Sequence, residues 1–371
     1  MKSNIMKLAN PCVFDIHPYQ PGKPVSECQR EFGLTHFIKL ASNENPLGAS
    51  PKVIQAIQQA LTTIAHYPDS QAFDLRKLLC EKYQIAFDNV LIGNGSEEIL
   101  QMLLQVFIVP GQEVIFGQYS FMGYEILSKS VGAQVTKVVM PNWKIDFNEI
   151  LKVISPKTKM ILLANPNNPT GTYFNQDEFK QFLNQLPANV LVVCDEAYYE
   201  YIKKEDYPQT HQWINDYPNL IVTRTFSKAY GMAGLRVGYA IANEDIIALV
   251  NRIRQPFNAN TLGQVAAVAA LNDQAFMENS VKLNELHRTR LCEGLTELGI
   301  DYIPSEANFL MIHVKTDGYA LYETLLRMGV IIRPMRYYQL QHYIRVSVGL
   351  EEENKCFLNA LKEALMKEKV A

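Results

Sequence analysis

Residues 190–201 read VLVVCDEAYYEY: five apolar residues in a row, then an acid at Asp195 and a tyrosine at Tyr198. A run without polar alternation suits a strand covered by helices on both faces, as in a parallel sheet. Outward from it the same pattern repeats. Further candidate strands are Val90 to Ile92, Val114 to Phe116, Val135 to Val139, Met160 to Leu163, Leu220 to Thr223 and Val237 to Ile241. Helical patterns fall between them. Glu97 to Phe107 sets Leu100, Leu103, Leu104 and Phe107 on one stripe, and Ser50-Pro51 reads as an N-cap followed by a first-turn proline. The alternation predicts an α/β unit with a largely parallel sheet over residues 45–270.

The last hundred residues follow another pattern. A long amphipathic stretch from Ala266 to Leu298 precedes the strand-like Asn308 to Val314, a helix near Tyr319 to Met328, the short strands VIIRP and YIRVSVG, and a helix over Glu351 to Lys367. Strands and helices mixed in this way predict a smaller α+β domain. The first forty residues show no core of their own and are expected to pack on it. The division is therefore 45–270 for the large domain, with 1–44 and 271–371 forming the small one.

Composition excludes several classes. The chain has 371 residues, is 48% hydrophobic and 20% charged, and carries a formal net charge of -3. Those are globular values, and no basic block marks a nucleic-acid track. No apolar run reaches the ~18 residues of a membrane span, and the amino-terminal stretch lacks a secretory signal, so a cytoplasmic location is expected. Six scattered cysteines without CxxC, and seven histidines without HxH or HExxH, indicate neither a disulfide framework nor a metal site.

The chemistry gathers after the apolar runs. Residues 225–240, TFSKAYGMAGLRVGYA, flank Lys228 with the hydroxyls of Thr225 and Ser227 and place Arg236 eight positions on. A lysine that attacks an aldehyde needs a lowered proton affinity, and hydroxyls with an arginine suit a phosphate on that aldehyde. A solvated loop lysine would look the same in isolation. Asp195 stands where a parallel strand ends, the usual ligand crevice, and such an acid can keep a pyridine nitrogen protonated. A helix N-cap is its plain alternative. In LLANPNNPTG, the Asn168 amide can bond a ring oxygen or a substrate. In LIGNGSEEIL, a Gly-rich turn opens a helix at Ser96, whose free amides form a phosphate cradle. In FGQYSFMGY, Tyr119 can stack on a planar ring or pack in the core. Five such signals, each after a strand, make coincidence a poor account.

With these motifs the chain resembles the fold-type-I pyridoxal-phosphate enzymes of the class I and II aminotransferase family over nearly its whole length. Within that family it is most similar to the histidinol-phosphate aminotransferases. HPYQPGKP (residues 17–24), IKLASNENPLGASP (38–51), the Lys228 segment, IIRPM and YIRVSVGLEEEN carry that likeness. The resemblance implies pyridoxal 5'-phosphate as cofactor, with Lys228 as its Schiff-base lysine and proton carrier. It further implies Asp195 at the ring nitrogen, Asn168 and Tyr198 at the ring oxygen, and Tyr119 stacked on the ring. Ser96, Glu97, Thr225, Ser227 and Arg236 hold the phosphate in that scheme. Tyr67 matches a tyrosine that reaches the neighbouring subunit's cofactor, which implies a homodimer with shared active sites. Tyr19, Asn45, Arg333 and Arg345 fall at substrate positions. Glu97 departs from the usual Asp or Asn, a change its backbone amide survives. The loop YYQLQHY, residues 337–343, lacks the family's Gly and Pro.

The implied reaction is transamination of L-histidinol phosphate with 2-oxoglutarate, giving imidazole acetol phosphate and glutamate, in histidine biosynthesis. The alternatives are an aromatic amino-acid aminotransferase, a pyridoxal-phosphate decarboxylase of a phosphorylated amino acid, and a silent binding module on the same fold. Lys228, Asp195 and Arg236 together speak against the last.

Overall fold

Along the strand Thr158–Ala164 the side chains divide by parity. Met160, Leu162 and Ala164 enter one hydrophobic cluster, while Ile161 and Leu163 enter another on the opposite face. Both faces of the sheet are dry, which is why these strands carry no polar alternation. The protein is described by a computed structural model, which covers residues 4–20 and 22–368.

In chain order the strands are β1 (Ile38–Lys39), β2 (Val90–Gly93), β3 (Glu113–Gly117), β4 (Gln134–Val138), β5 (Thr158–Ala164), β6 (Leu191–Asp195), β7 (Leu220–Thr225), β8 (Gly238–Ala242), β9 (Asp301–Ile303), β10 (Phe309–His313), β11 (Val330–Ile331), β12 (Arg333–Pro334) and β13 (Tyr343–Ser347). The large sheet has seven strands in the order β2-β8-β7-β6-β5-β3-β4. Six point the same way and β8 runs against its neighbours β7 and β2. The chain between Thr225 and Gly238 holds only a single 3-10 turn. Without a crossover helix the next strand returns antiparallel. The carboxyl ends of β2, β3, β5, β6 and β7 therefore share one edge of the sheet, where ligands of open α/β folds bind.

A four-stranded antiparallel sheet, β12-β13-β10-β9, and the parallel pair β1-β11 form the second body. Its core joins Cys28, Leu40 and Ala41 to Leu291, Leu310, Leu325, Ile344 and Leu361, so both ends of the chain enter it. The amphipathic stretch from Ala266 to Leu298 is two helices, Thr261–Leu271 and Gln274–Glu297. Asn272 and Asp273 break it. The Asn272 amide bonds the Val268 carbonyl at 3.1 Å, and the Asp273 carboxylate pairs with Lys52 at 3.1 Å. The second helix reaches across both bodies, with Met277 in the large core and Leu291 and Leu295 in the small one.

Beneath the carboxyl edge lies an ion pair with both side chains 0% exposed. Arg224 on β7 donates from Nε to Glu196 Oε2 at 2.8 Å, Nη2 lies 2.7 Å from the same oxygen, and Thr210 donates to Oε1 at 2.6 Å. The guanidinium carbon sits 3.4 Å from the centre of the Tyr199 ring. Removing one partner strands the other charge in a dry site. Arg224→Met is expected to cost about 3–5 kcal/mol in urea unfolding. Adding Glu196→Gln should recover most of that loss, since no charge is then left buried. A double variant no more stable than the single one would assign the loss to packing instead.

Candidate active site

The carboxyl ends of five strands line a single pocket, with Ser96 after β2, Phe121 after β3, Asn168 after β5, Asp195 on β6, and Thr225, Ser227 and Lys228 at the end of β7. After β2, Gly95 takes φ 82° and caps the helix Ser96–Phe107 without any side-chain bond, leaving the first amides of that helix unsatisfied. Arg236, itself at φ 56°, lays its guanidinium against this turn. A Cβ at Gly95 would come within 2.6 Å of Arg236 Nη2, and one at Gly238 within 2.3 Å of the Ser96 nitrogen. The two glycines thus let a helix end and a guanidinium close around one point. Ser227 Oγ is 3.5 Å from Arg236 Nη1, and the Thr225 hydroxyl accepts from the Ser227 amide at 3.1 Å. Free amides, a guanidinium and two hydroxyls form a site for a phosphate dianion.

At the other end of the pocket stands Asp195, the last residue of β6. Its Oδ2 accepts from the Tyr124 hydroxyl at 2.9 Å and its Oδ1 from Thr223 Oγ1 at 3.2 Å. Burial raises this carboxyl to about 6, against the pull of those donors and of the Ala197 amide. A cationic ring nitrogen beside it would return the charge that burial disfavours. Tyr198 is also buried and is pushed up to about 12, so its hydroxyl stays protonated. It accepts from Asn43 Nδ2 at 2.9 Å, which leaves its own proton for a partner in the pocket.

Lys228 lies between these two ends. Its Nζ donates to the Ser42 carbonyl at 3.1 Å, with the Tyr198 ring centre 5.9 Å away. Burial, helped by the charges of Arg345 and Arg236, lowers it to about 8. An amine so tuned is neutral for a useful fraction of the time near neutral pH. The residues therefore fit a phosphorylated pyridine aldehyde, with one partner for each of its polar groups.

Arg333 and Arg345 are direct cross-strand partners on β12 and β13. Like charges placed opposite each other repel, and among the described residues no carboxylate forms a salt bridge with either. Arg345 donates to Asn168 Oδ1 at 2.6 Å and to the Ala41 carbonyl at 2.8 Å, while its buried Nε has no partner. Arg333, 8% exposed, is flanked by the rings of Tyr19 at 5.4 Å and Tyr337 at 6.0 Å. Two guanidiniums without an acid form an anion site. The 3-10 turn Arg336–Tyr338, in the loop without the family's Gly and Pro, brings Tyr337 to it.

Two expected positions, Tyr119 and Asn45, fall elsewhere, and Tyr67, expected at the neighbouring subunit's cofactor, lies outside the pocket of its own chain. Tyr119 is turned away, with its ring 5.2 Å from Trp143, and Phe121 lines the pocket in its place. Phe121 caps the helix Met122–Ser130, so the chain is still turning at Tyr119 and the ring two residues later faces the strand ends. Asn45 has no group left for a substrate. Its amide donates to the Ala229 carbonyl at 2.8 Å and to Ser280 Oγ at 2.7 Å, and its oxygen accepts from the Leu47 amide at 3.0 Å. Tyr67 is 82% exposed, stacked on Phe257 at 4.5 Å, and does not line the pocket of its own chain. Asn43, Phe121, Tyr124 and Thr223 are the site residues that sequence reasoning missed. Asn43, Phe121 and Tyr124 lay inside motifs already singled out, but the motifs do not say which side chain turns inward.

A family model, aminotransferase class I and II, matches residues 35–361. A histidinol-phosphate aminotransferase of Idiomarina loihiensis is 45% identical over 97% of this chain and 98% of its own length. One from Nitrosospira multiformis is 44% identical over 98% and 93%. Among solved structures, the histidinol-phosphate aminotransferase of Sinorhizobium meliloti in complex with pyridoxal-5'-phosphate superposes with a TM-score of 0.90 at 27% identity, covering 97% of this chain and 98% of that one.

The depressed proton affinity of Lys228 has a measurable sign. Between pH 8 and the ordinary lysine value of 10.5 the unfolded chain binds more protons than the folded one. Stability from this group therefore rises with pH across that window. Acylation of Lys228 in the protein without cofactor, followed site by site by mass spectrometry, should show a midpoint near pH 8. Arg345→Gln should move that midpoint upward, because a repelling cation is gone. A midpoint near 10.5 in the parent protein would mean that the lysine is solvated.

Proposed function

The chain belongs to the class I and II aminotransferases, and on that footing we propose that it transaminates L-histidinol phosphate with 2-oxoglutarate, using pyridoxal 5'-phosphate. The observation that carries the substrate reading is the acid-free pair Arg333 and Arg345, opposite each other, with Arg345 bonded to the pocket residue Asn168. The names of relatives near 45% identity support it.

In this reading Ser96, Glu97, Thr225, Ser227 and Arg236 hold the cofactor phosphate. Asp195 faces the ring nitrogen, and Tyr198 and the Asn168 amide face the ring oxygen. Phe121 takes the stacking role expected of Tyr119. Arg345 engages Asn168 through its oxygen, which turns the Asn168 amide hydrogens toward the pocket. The cofactor, when bound, supplies an electron sink for the pair left as a proton leaves the amino carbon. Lys228 holds the aldehyde end and, once its amine is free and neutral, takes the proton from that carbon. Arg333 and Arg345 grip the phosphate of one substrate and a carboxylate of the other, since a guanidinium fork suits both anions.

We further propose a homodimer in which Tyr67 completes the partner's phosphate site. Its near-complete exposure, next to the exposed Ile64 and Phe257, suits a residue covered by a second copy. Among the described residues no helix is long and apolar enough to cross a membrane. The six cysteines are all free, as suits a reducing compartment such as the cytoplasm.

Turnover of histidinol phosphate should exceed that of phenylalanine, tyrosine and aspartate in kcat/KM. Arg333→Ala should lower kcat/KM for histidinol phosphate roughly 10- to 100-fold, the worth of a charge-assisted contact. Unphosphorylated histidinol should lose far less, and equal proportional losses would remove Arg333 as the phosphate anchor. For the shared site, Lys228→Ala and Tyr67→Ala chains, each impaired alone, should regain activity when mixed, because one site of the heterodimer keeps both residues. Confirmed subunit exchange without recovery would refute the sharing.

A further inference from the structure

Asp195 is gripped from behind by a side chain that takes no part in the chemistry. Tyr124, fully buried in the helix Met122–Ser130, donates its hydroxyl hydrogen to Asp195 Oδ2 at 2.9 Å. Thr223 on β7 holds the other oxygen. The two donors come from different elements, so the carboxylate plane cannot rotate without breaking one bond. The Tyr124 ring also stands edge-on to Phe121, at 5.7 Å and 90°, and to Phe116, at 6.0 Å and 65°. One residue thus touches both the acid at one end of the pocket and the aromatic wall along it.

We propose that Tyr124 is a positioning residue for the cofactor, whose hydroxyl aims the ionised Asp195 at the ring nitrogen while its ring seats Phe121. The inference rests on the pyridoxal-phosphate reading above. A buried carboxylate has lost its hydration, and each donor that remains favours its charged form. Besides Tyr124 and Thr223, the groups acting on Asp195 are the Ala197 amide and the adjacent acid Glu196, which opposes ionisation. Lys228 and Tyr198 are its other titratable neighbours across the pocket, and Cys194 adjoins it on β6. Burial and Asp195 itself hold the Tyr124 hydroxyl well above its ordinary value, so it remains a donor throughout the working range.

Tyr124→Phe removes one oxygen and keeps the ring contacts. With pyridoxal phosphate labelled with nitrogen-15 in its ring, the wild-type holoenzyme should show the resonance of a protonated nitrogen. In Tyr124→Phe the proton affinity of that nitrogen should fall about tenfold, the worth of one bond to a charged acceptor. The cofactor dissociation constant should rise in step. Fluorotyrosine at position 124, a stronger donor of nearly the same shape, should shift the resonance the other way, and serves if the phenylalanine variant does not fold. In an Asp195→Asn background, Tyr124→Phe should change neither readout further. If the wild type binds the labelled cofactor and neither substitution moves its resonance or affinity, Tyr124 is only packing. Failure of the wild type to bind the cofactor at all would instead refute the functional reading.

Discussion

The Glu196–Arg224 pair is the interaction on which the pocket geometry depends. It ties the carboxyl ends of β6 and β7 together on the face away from the ligand, with Asp195 and Thr225 as the immediate chain neighbours of its two members. Strand pleating sends consecutive side chains to opposite faces. Asp195 is therefore presented to the pocket by the same backbone that buries Glu196. A slip of either strand would have to separate two opposite charges in a medium that solvates neither.

The pocket itself is organised by uncompensated positive charge. Lys228 and Arg236 line it and Arg345 reaches it through Asn168, against the carboxylates of Asp195 and Glu97. A protein interior tolerates that imbalance when ligands bring the missing anions. Burial, with repulsion from Arg345 and Arg236 added to it, takes the lysine amine out of its permanently charged state.

Much of this was legible in the sequence because it is written in local pattern. Strands dry on both faces leave continuous apolar runs, and each run from Val90 to Thr225 lies where the structure has a strand. Backbone-built features were equally visible, since the Gly-rich turn before Ser96 needs no side-chain direction to be recognised. The misplaced residues all depended on direction. Tyr119 and Phe121 are two residues apart in a turn, and only the start of the following helix decides which ring faces the pocket. Asn45 and Asn43 lie in one motif, and the contact of Asn45 with Ser280, 235 positions away, decides which amide is used up. The antiparallel β8 escaped because an apolar run carries no sign of its direction.

The helix Gln274–Glu297 acts as a phase setting between the two bodies. Met277 is anchored in one core and Leu291 and Leu295 in the other, so its turns fix the rotation of the small sheet relative to the large. One residue added between those anchors would rotate the far half by about 100° and advance it about 1.5 Å. Arg333 and Arg345 would swing away from the lysine although no pocket residue had changed. The spacing of that helix is therefore catalytic information stored as length, and drift in its surface residues is tolerable where drift in their number is not.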